Sequence, residues 1–417
     1  MLMASTSTTP RQPSPLVALR HRDYRLLWSG QLISIAGSQM HTVALHVQVY
    51  RLASAIPGAN PAIFLGLIGL FQFIPLLLLA LRAGLLADRV DRRRLMLVTQ
   101  SILMGLSLVL AVLSWFGLIN LWLLYGIMII FFSTKTFDLP ARQALIPRLV
   151  PREVLPTALS LNMIAWQIGN IAGPALGGWF VSYSIALVYL IDAISYGVVV
   201  LNLWQMRGNY APTEVKPIIK GSMWEGLHFV RRTPIIWSTM VLDFIATFCG
   251  AATTLLPLFA DKVLKVDEKA LGLMYAAPAI GALVAALAMS WFGNPRRQGM
   301  VVVVSVVLYG LATMVFGLAP SLPIAVLGLA GTGAADTVSA VLRGTIRQLN
   351  TPDELRGRAT SANMLFFQGG PLLGEVEAGF AASLVGAPIA IAFGGAICVA
   401  AAIIIAVRIP SLRLYDR

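Results

Sequence analysis

Residues 84–94 read Gly-Leu-Leu-Ala-Asp-Arg-Val-Asp-Arg-Arg-Arg, a charged hairpin of eleven residues between apolar stretches near 60–81 and 95–117. An apolar run of about 20 residues crosses a hydrocarbon core of roughly 30 Å as a helix. The hairpin therefore reads as a tight polar turn between two membrane spans. Working outward from it, twelve such runs can be counted, near 26–50, 60–81, 95–117, 120–142, 157–180, 185–206, 235–259, 270–292, 300–318, 322–344, 362–384 and 387–408. The expected fold class is an all-α membrane protein of twelve transmembrane helices. An even number of spans puts both termini on one side.

Composition agrees. Of 417 residues, 58% are hydrophobic and 12% charged, against about a quarter charged in soluble chains. The net charge of +13 is unevenly placed. Arg11, Arg20, Arg22 and Arg25 precede the first span; Arg89, Arg92, Arg93 and Arg94 follow the second; Arg148, Arg152, Arg207, Arg231, Arg232, Arg296, Arg297, Arg347, Arg408 and Arg413 fall on the same side. The other side carries Arg51, Lys262, Lys265 and Lys269. That bias marks the arginine-rich side, with both termini, as cytoplasmic, so the basic residues serve topology and lipid headgroups, not nucleic acid. Residues 1–15 are rich in Ser, Thr and Pro and lack the apolar core of a cleaved signal. Cys249 and Cys398 lie inside spans, so no disulfide framework is expected, and His41 and His46 are spaced onto different helix faces. No metal or cofactor is implied.

The chain repeats itself. Arg142 to Asn162 matches Arg343 to Asn363 at a constant offset of 201, pairing Pro151 with Pro352 and Glu153 with Glu354, and the register continues through Gly169 and Gly173 to Gly370 and Gly374. At offset 209, Trp28-Ser29 meets Trp237-Ser238 and Gly84 meets Gly293. A duplicated six-span unit is a common construction of secondary transporters, with the substrate site near midplane between the repeats. The expected organisation is a cytoplasmic tail (1–25), an N-terminal half (26–206), a cytoplasmic linker (207–234) and a C-terminal half with a short tail (235–417). Within the linker, Met223, Trp224, Leu227 and Val230 recur at helical spacing, the pattern of a short interfacial helix.

Polar stripes at helical spacing mark faces turned away from lipid. Span one has Ser34, Ser38 and His41; span four has Lys135, Asp138 and Arg142; span seven has Asp243, Thr247 and Thr254; span ten has Thr332, Asp336, Ser339 and Arg343. These are the first and fourth spans of each half, and they imply a central aqueous cavity. For Ser and Thr, plain interhelical hydrogen bonding, worth about 0.6 kcal/mol, is at least as good a reading. Ionisable groups differ, because Lys or Asp at midplane costs about 2.5–3.5 kcal/mol even on the lenient insertion scale. Asp336 and Asp243 are therefore proton-coupling candidates. Asp336 corresponds to Lys135 under the repeat offset, and a pair across the cavity that forms and breaks would load and unload a proton. Glu375 and Glu377 in span eleven are further candidates; two residues apart, at most one faces the cavity. Asp192 in span six reads as structural.

The hairpin and residues 169–178, Gly-Asn-Ile-Ala-Gly-Pro-Ala-Leu-Gly-Gly, together resemble the signature loop of the major facilitator superfamily and the antiporter motif of its export branch. The resemblance implies a fold of two pseudo-symmetric six-helix halves. It also implies that Gly84 permits a tight helix exit, that Asp88 sits against the N-terminus of span eleven, and that Arg89, Arg92 and Arg93 supply a latch, one of them pairing with an acid such as Asp138 near Arg142. Asp91 stands where the family commonly has a second Gly. Gly169, Gly173 and Gly177 are spaced by four, with Pro174 among them and Gly178 beside them, and form a groove that lets helices approach closely; the resemblance adds exchange of substrate for protons. Residues 22–28, 137–143, 351–358 and 373–379 are similar to the branch containing the enterobactin exporter and related multidrug pumps. Leu139 stands where relatives often have a polar residue.

No Gly-x-x-x-x-Gly-Lys-Ser/Thr loop occurs, so ATP is excluded as the direct energy source, and no nucleophile–base or metal constellation points to an enzyme. The expected function is proton-coupled export, by alternating access, of a small amphipathic molecule, a siderophore or drug-like compound, across a bacterial cytoplasmic membrane. Proton-coupled nutrient uptake and a channel or pore are the alternatives. The partners expected are that substrate, protons and the bilayer, with no obligate protein partner.

Overall fold

Where water is absent a backbone must satisfy its own polar groups, and each apolar run does so as a helix. The computed structural model describes residues 16–208, 210, 228–250, 253–293 and 295–416, without the side chains of Leu81, Phe292 and residues 353–366. Twelve long helices follow: α1 (Arg22–Ser54), α2 (Pro61–Arg89), α3 (Arg92–Trp115), α4 (Leu121–Leu149), α5 (Leu155–Val181), α6 (Ile185–Gln205), α7 (Pro234–Cys249), α8 (Glu268–Phe292), α9 (Gln298–Gly317), α10 (Leu322–Leu349), α11 (Asp353–Val385) and α12 (Ala387–Arg408). Short helical segments Thr253–Leu255, Leu256–Phe259 and Ala260–Leu264 carry the chain from α7 towards α8. Among the described residues, nine segments are long and apolar enough to cross a membrane. Helices α1, α5 and α11 are as long but more polar. They pack into the bundle, α1 against α5 and α6, α5 against α1 and α8, α11 against α2 and α7, which gives polar residues places away from lipid, while Met163 and Trp166 of α5 and Phe380 and Leu384 of α11 stay exposed.

The duplication read from the sequence is repeated in the packing. In the first half α1 packs on α5 and α6, α2 on α4, and α3 on α4 and α6; in the second, α7 packs on α11 and α12, α8 on α10, and α9 on α10 and α12. Every pairing recurs six helices later. The halves meet through a reciprocal pair of seams, α2 on α11 and α5 on α8.

Turns are closed by side chains. Asn60 and Asn120 each cap a following helix by accepting from a backbone N–H of its first turn, at 3.1 and 2.9 Å, as orphan N–H groups require. Asp91 does the same for α3, accepting from the backbone of Arg93 and Arg94. The expected role of Gly84 is corrected here. It lies inside α2, a Cβ on it would meet nothing within 4 Å, and the helix runs on to Arg89. The turn is made by Val90 and the Asp91 cap. Its repeat counterpart Gly293 does end a helix, at φ +72°, a conformation that favours glycine.

Of the linker, residues 228–232 are helical and Val230 is buried with Ile236 and Met240; Met223, Trp224 and Leu227 lie outside the described residues. Asp23 ties the linker to α1, accepting from the backbone of Arg207 and Gly208 at 3.3 Å each and from the Tyr210 hydroxyl. Burial, with that carboxylate adding to it, holds the Tyr210 phenol above its ordinary range.

The apolar core is distributed unequally. At the Lys262 end one cluster draws on both halves, with Met40, Leu45, Leu65 and Leu124 joining Phe259, Leu271, Met274 and Leu329. At the arginine-rich end the clusters among the described residues belong to one half or the other, one around Tyr24, Met96, Leu145 and Leu203, another around Leu242, Val302, Leu342 and Leu412, beside the small group of Val230, Ile236 and Met240. The halves share a core at one end and keep separate cores at the other.

Candidate functional site

On α10, Asp336, Ser339 and Arg343 follow one another at three- and four-residue spacing and so share a face. The Arg343 guanidinium donates through Nη2 to Asp243 Oδ1 of α7 at 2.7 Å and to Asp336 Oδ1 at 3.3 Å, and through Nη1 to Ser339 Oγ at 2.6 Å. The side chains of Arg343 and Asp243 are 2% and 3% exposed, that of Asp336 42%. One cation thus holds two acids, one sealed and one open. Thr332 and Asp336 line a cavity of about 170 Å³ with Tyr309, Thr313 and Gly250. The expected partnership of Asp336 with Lys135 is not what the structure holds: Lys135 Nζ lies 5.3 Å from the centre of the Phe131 ring, and Asp336 is held by Arg343. Arg343 reaches it along its own helix.

The stripe on α1 does not line a central cavity. Ser38 Oγ is 2.9 Å from the Tyr196 hydroxyl, and His41 Nδ1 is 2.8 Å from Asp192 Oδ2, both partners on α6. Ser107 of α3 donates to the same Asp192 oxygen at 2.7 Å. Ser34 and His41 are buried, at 2% and 3% exposure. The reason is Asp192, fully buried, whose carboxylate must be supplied with donors and draws His41 and Ser107 to it. Two threonines are likewise corrected. Thr254 donates to the Leu65 carbonyl of α2 at 3.0 Å, bridging the halves, and Thr247 bonds back to the Asp243 carbonyl at 2.8 Å while facing Gly370 of α11.

The latch residues are differently engaged than expected. Asp138 pairs with Arg142 one turn away at 2.6 Å and accepts from Thr99 and Gln100 of α3 at 2.9 and 2.8 Å. With its lone pairs so occupied, it takes no arginine from the hairpin. Arg93 instead donates to the carbonyls of Leu203 and Trp204 at the end of α6, at 2.6 and 2.8 Å. Arg92 is buried, and Asp88 and Arg89 are exposed. Sequence reasoning missed Asp192 and Gln100 as partners; an ionisable residue inside a span was itself the signal for the first.

The small-residue motif on α5 has two faces. A Cβ on Gly169 would come within 2.4 Å of Ile35, one on Gly173 within 2.6 Å of the Ala36 carbonyl, and one on Gly177 within 3.0 Å of Met40 Cα. That face, with the Gln39–Asn170 side-chain bond, binds α1 inside its own half. Gly178 turns the other way: its Cβ would lie 2.4 Å from Gly272 Cα of α8. Pro174 contributes there too, its carbonyl 2.9 Å from a Cβ on Gly272. The second seam has the same construction, Gly66 of α2 against Gly379 of α11.

At the Lys262 end polar contacts also cross between halves. Tyr50 donates to Asp261 at 2.5 Å and Arg51 to Glu268 at 2.6 Å, around a cleft of about 430 Å³. This end is shut by backbone contact, a shared apolar core and polar bridges. A sealed end, separated cores opposite and buried charge between them are the parts of an alternating-access machine.

The profile of the transmembrane secretion effectors, a branch of the major facilitators, matches residues 13–416. The chain belongs to that family. This major facilitator is therefore a multi-pass integral membrane transporter. It is 27% identical over 343 residues to the enterobactin exporter EntS of Shigella boydii, covering 81% of this chain and 80% of the relative. Among solved structures, a peptide transporter POT in complex with sulfate matches at a TM-score of 0.73 and 13% identity over 95% of this chain and 96% of that one. A bacterial homologue of the lysosomal transporter Spinster, inward-facing and occupied, matches at 0.73 and 14% over 95% and 99%. At such identities the solved structures bear on the transporter's fold alone.

Proposed function

We propose that the protein exports a siderophore-like amphipathic molecule, in exchange for protons, across a bacterial cytoplasmic membrane. The observation that carries the reading is the Asp243–Arg343–Asp336 group, buried charge between the sealed and the separated end. The arginine-rich end faces the cytoplasm by the positive-inside bias, so the end where the halves share a core is the outward one and their separate cores face inward. Asp336 is the acid available to the pathway. A proton on it removes its claim on Arg343, whose guanidinium then belongs to Asp243 alone; its loss restores a shared cation. Similarity to the enterobactin exporters supports the substrate class and the direction.

The test uses purified protein in inside-out oriented proteoliposomes with an acid lumen. Enterobactin should accumulate inside, and collapse of the gradient by a proton ionophore should stop it. Gradient-driven movement the other way would favour nutrient uptake. Transport that a gradient does not drive, and that shows no substrate counterflow, would mean a pore.

A further inference from the structure

The α2–α11 seam contains a polar group that the arrangement above does not use. Glu375 of α11 lies against Gly69 of α2, where a Cβ would come within 2.7 Å of the Glu375 Cβ and 3.1 Å of its Oε2. Only glycine leaves room for that carboxyl. Oε2 is buried and, among the described residues, has no hydrogen-bond partner. Nearby, the Tyr275 ring of α8 stacks on His46 of α1, centres 5.7 Å apart and planes 3° from parallel, across the boundary between halves. The Tyr275 hydroxyl and both His46 ring nitrogens are also buried without partners. Tyr275 shares an apolar cluster with Leu65 and Ile68 of α2, and Ala378 of α11 packs against it.

The other ionisable groups face elsewhere. Glu377, two residues along α11 from Glu375, lies on another face of the helix. His41 is committed to Asp192. Tyr50, Asp261, Arg51 and Glu268 pair among themselves at the mouth, and α2 brings glycines, with Phe73 beside Gly369. Four unpartnered polar atoms from three helices, drawn from both halves, therefore gather in the closed part of the molecule.

We infer that Glu375, with Tyr275 and His46, is a proton-binding site built by closure of the α2–α11 seam, so that the outward gate shuts only on the neutral acid. Shutting an ionised carboxylate into a place without a partner is far costlier than shutting in the acid. When the seam parts, Oε2 takes a proton from the outer solution; on closure the O–H is trapped beside Gly69. It leaves for the inner side once closure at this end has opened the other; Tyr275 and His46, nearer the Lys262 ends of α8 and α1, line the outer side of the site. A ligand that binds one state in preference shifts the population by that preference alone, and here the ligand is the proton. The device differs from Asp336, which exchanges partners within the second half, and the inference rests on the proton-coupled export proposed above.

The experiment compares the parent with Glu375→Gln and Tyr275→Phe in proteoliposomes, reading gradient-driven accumulation and gradient-independent counterflow of enterobactin. Glu375→Gln imitates the neutral acid and should return without a proton. Driven accumulation should fall about tenfold or more, with counterflow near the parental rate and no longer dependent on pH. Tyr275→Phe should lower the driven rate while sparing counterflow. A parental driven rate in either variant overturns the site, and so does loss of counterflow in Glu375→Gln, which would make Glu375 a packing or substrate group. A parent that shows no driven transport sinks the proton-coupled reading itself, a result distinct from either variant's failure.

Discussion

Arg343 and Asp243, a hundred residues apart on α10 and α7, meet at 2.7 Å with both side chains almost fully buried. Removing one partner of such a pair leaves a charge without compensation and commonly costs about 3–5 kcal/mol. Arg343→Gln should therefore lower the melting temperature in detergent substantially. The double variant Arg343→Gln with Asp243→Asn, which removes both charges, should recover part of the loss. A single variant that melts with the parent would show that water reaches the pair.

Asp336 answers to the same guanidinium at 3.3 Å but is 42% exposed. Solvent screening makes such a contact worth little for folding, about 0–1 kcal/mol. Asp336→Asn should melt close to the parent while gradient-driven transport falls and counterflow persists. Unchanged driven transport would leave Asp336 a bystander to the Arg343–Asp243 pair.

How much of this was legible in the sequence depends on what periodicity measures. Run lengths and the 201-residue offset found the helices and the repeat, because both are properties of one strand of chain. Spacing also placed Gly169, Gly173 and Gly177 on one face. It did not say which neighbour a face meets. Ser38 and His41 share a stripe, but the stripe is turned to α6 by Asp192, a tertiary fact that α1 does not encode. Lys135 and Asp336 correspond under the repeat, yet Arg343, one and two turns along the helix from Ser339 and Asp336, is the nearer cation. Two residues apart on α11, Glu375 and Glu377 cannot share a face, but only the packing of α2 shows that Glu375 lies against Gly69.

The two faces of the α5 motif should fail differently. Gly173 packs on the Ala36 backbone and Gln39 within its half, the Cβ position lying 2.6 Å from each. Overpacking costs about 1–3 kcal/mol, so Gly173→Ala should reduce stability and Gly173→Leu should leave little folded protein. Gly178 meets Gly272 across the halves, so Gly178→Ala should fold but resist closure at the Lys262 end. Accessibility of a single cysteine placed at Ala260, which lines the cleft at this end and is buried, to a membrane-impermeant thiol reagent would report this, after replacing Cys249 and Cys398. Greater labelling is expected, and labelling equal to the parent's would mean the seam yields.

Asp88 is exposed at the end of α2, and among the described residues it has no ion pair. Exposed substitutions usually change stability by no more than about 0.5 kcal/mol, so Asp88→Asn should melt with the parent. If the hairpin latches the opposite conformation, transport should nevertheless fall at matched membrane levels. Equal rates would remove Asp88 from the conformational cycle.

Arg51 and Glu268 bridge the halves at 2.6 Å with side chains 50% and 34% exposed. An exposed pair contributes about 0.2–1 kcal/mol, negligible for a fold but not for a balance between two states, where 1.4 kcal/mol is a tenfold change in population. Arg51→Glu places two acids together and should open this end, lowering transport severalfold without lowering the melting temperature to match. Adding Glu268→Arg restores opposite charge. Glu268, however, also occupies the first turn of α8, where an acid is favoured by the helix dipole and an arginine is not, a difference of about 0.3–1 kcal/mol. The exchanged pair should therefore recover transport in part, and the conservative Arg51→Lys should recover it more fully. If the swap restores nothing, the closed end is held by Gly178–Gly272 and the shared apolar core, and the bridge is incidental.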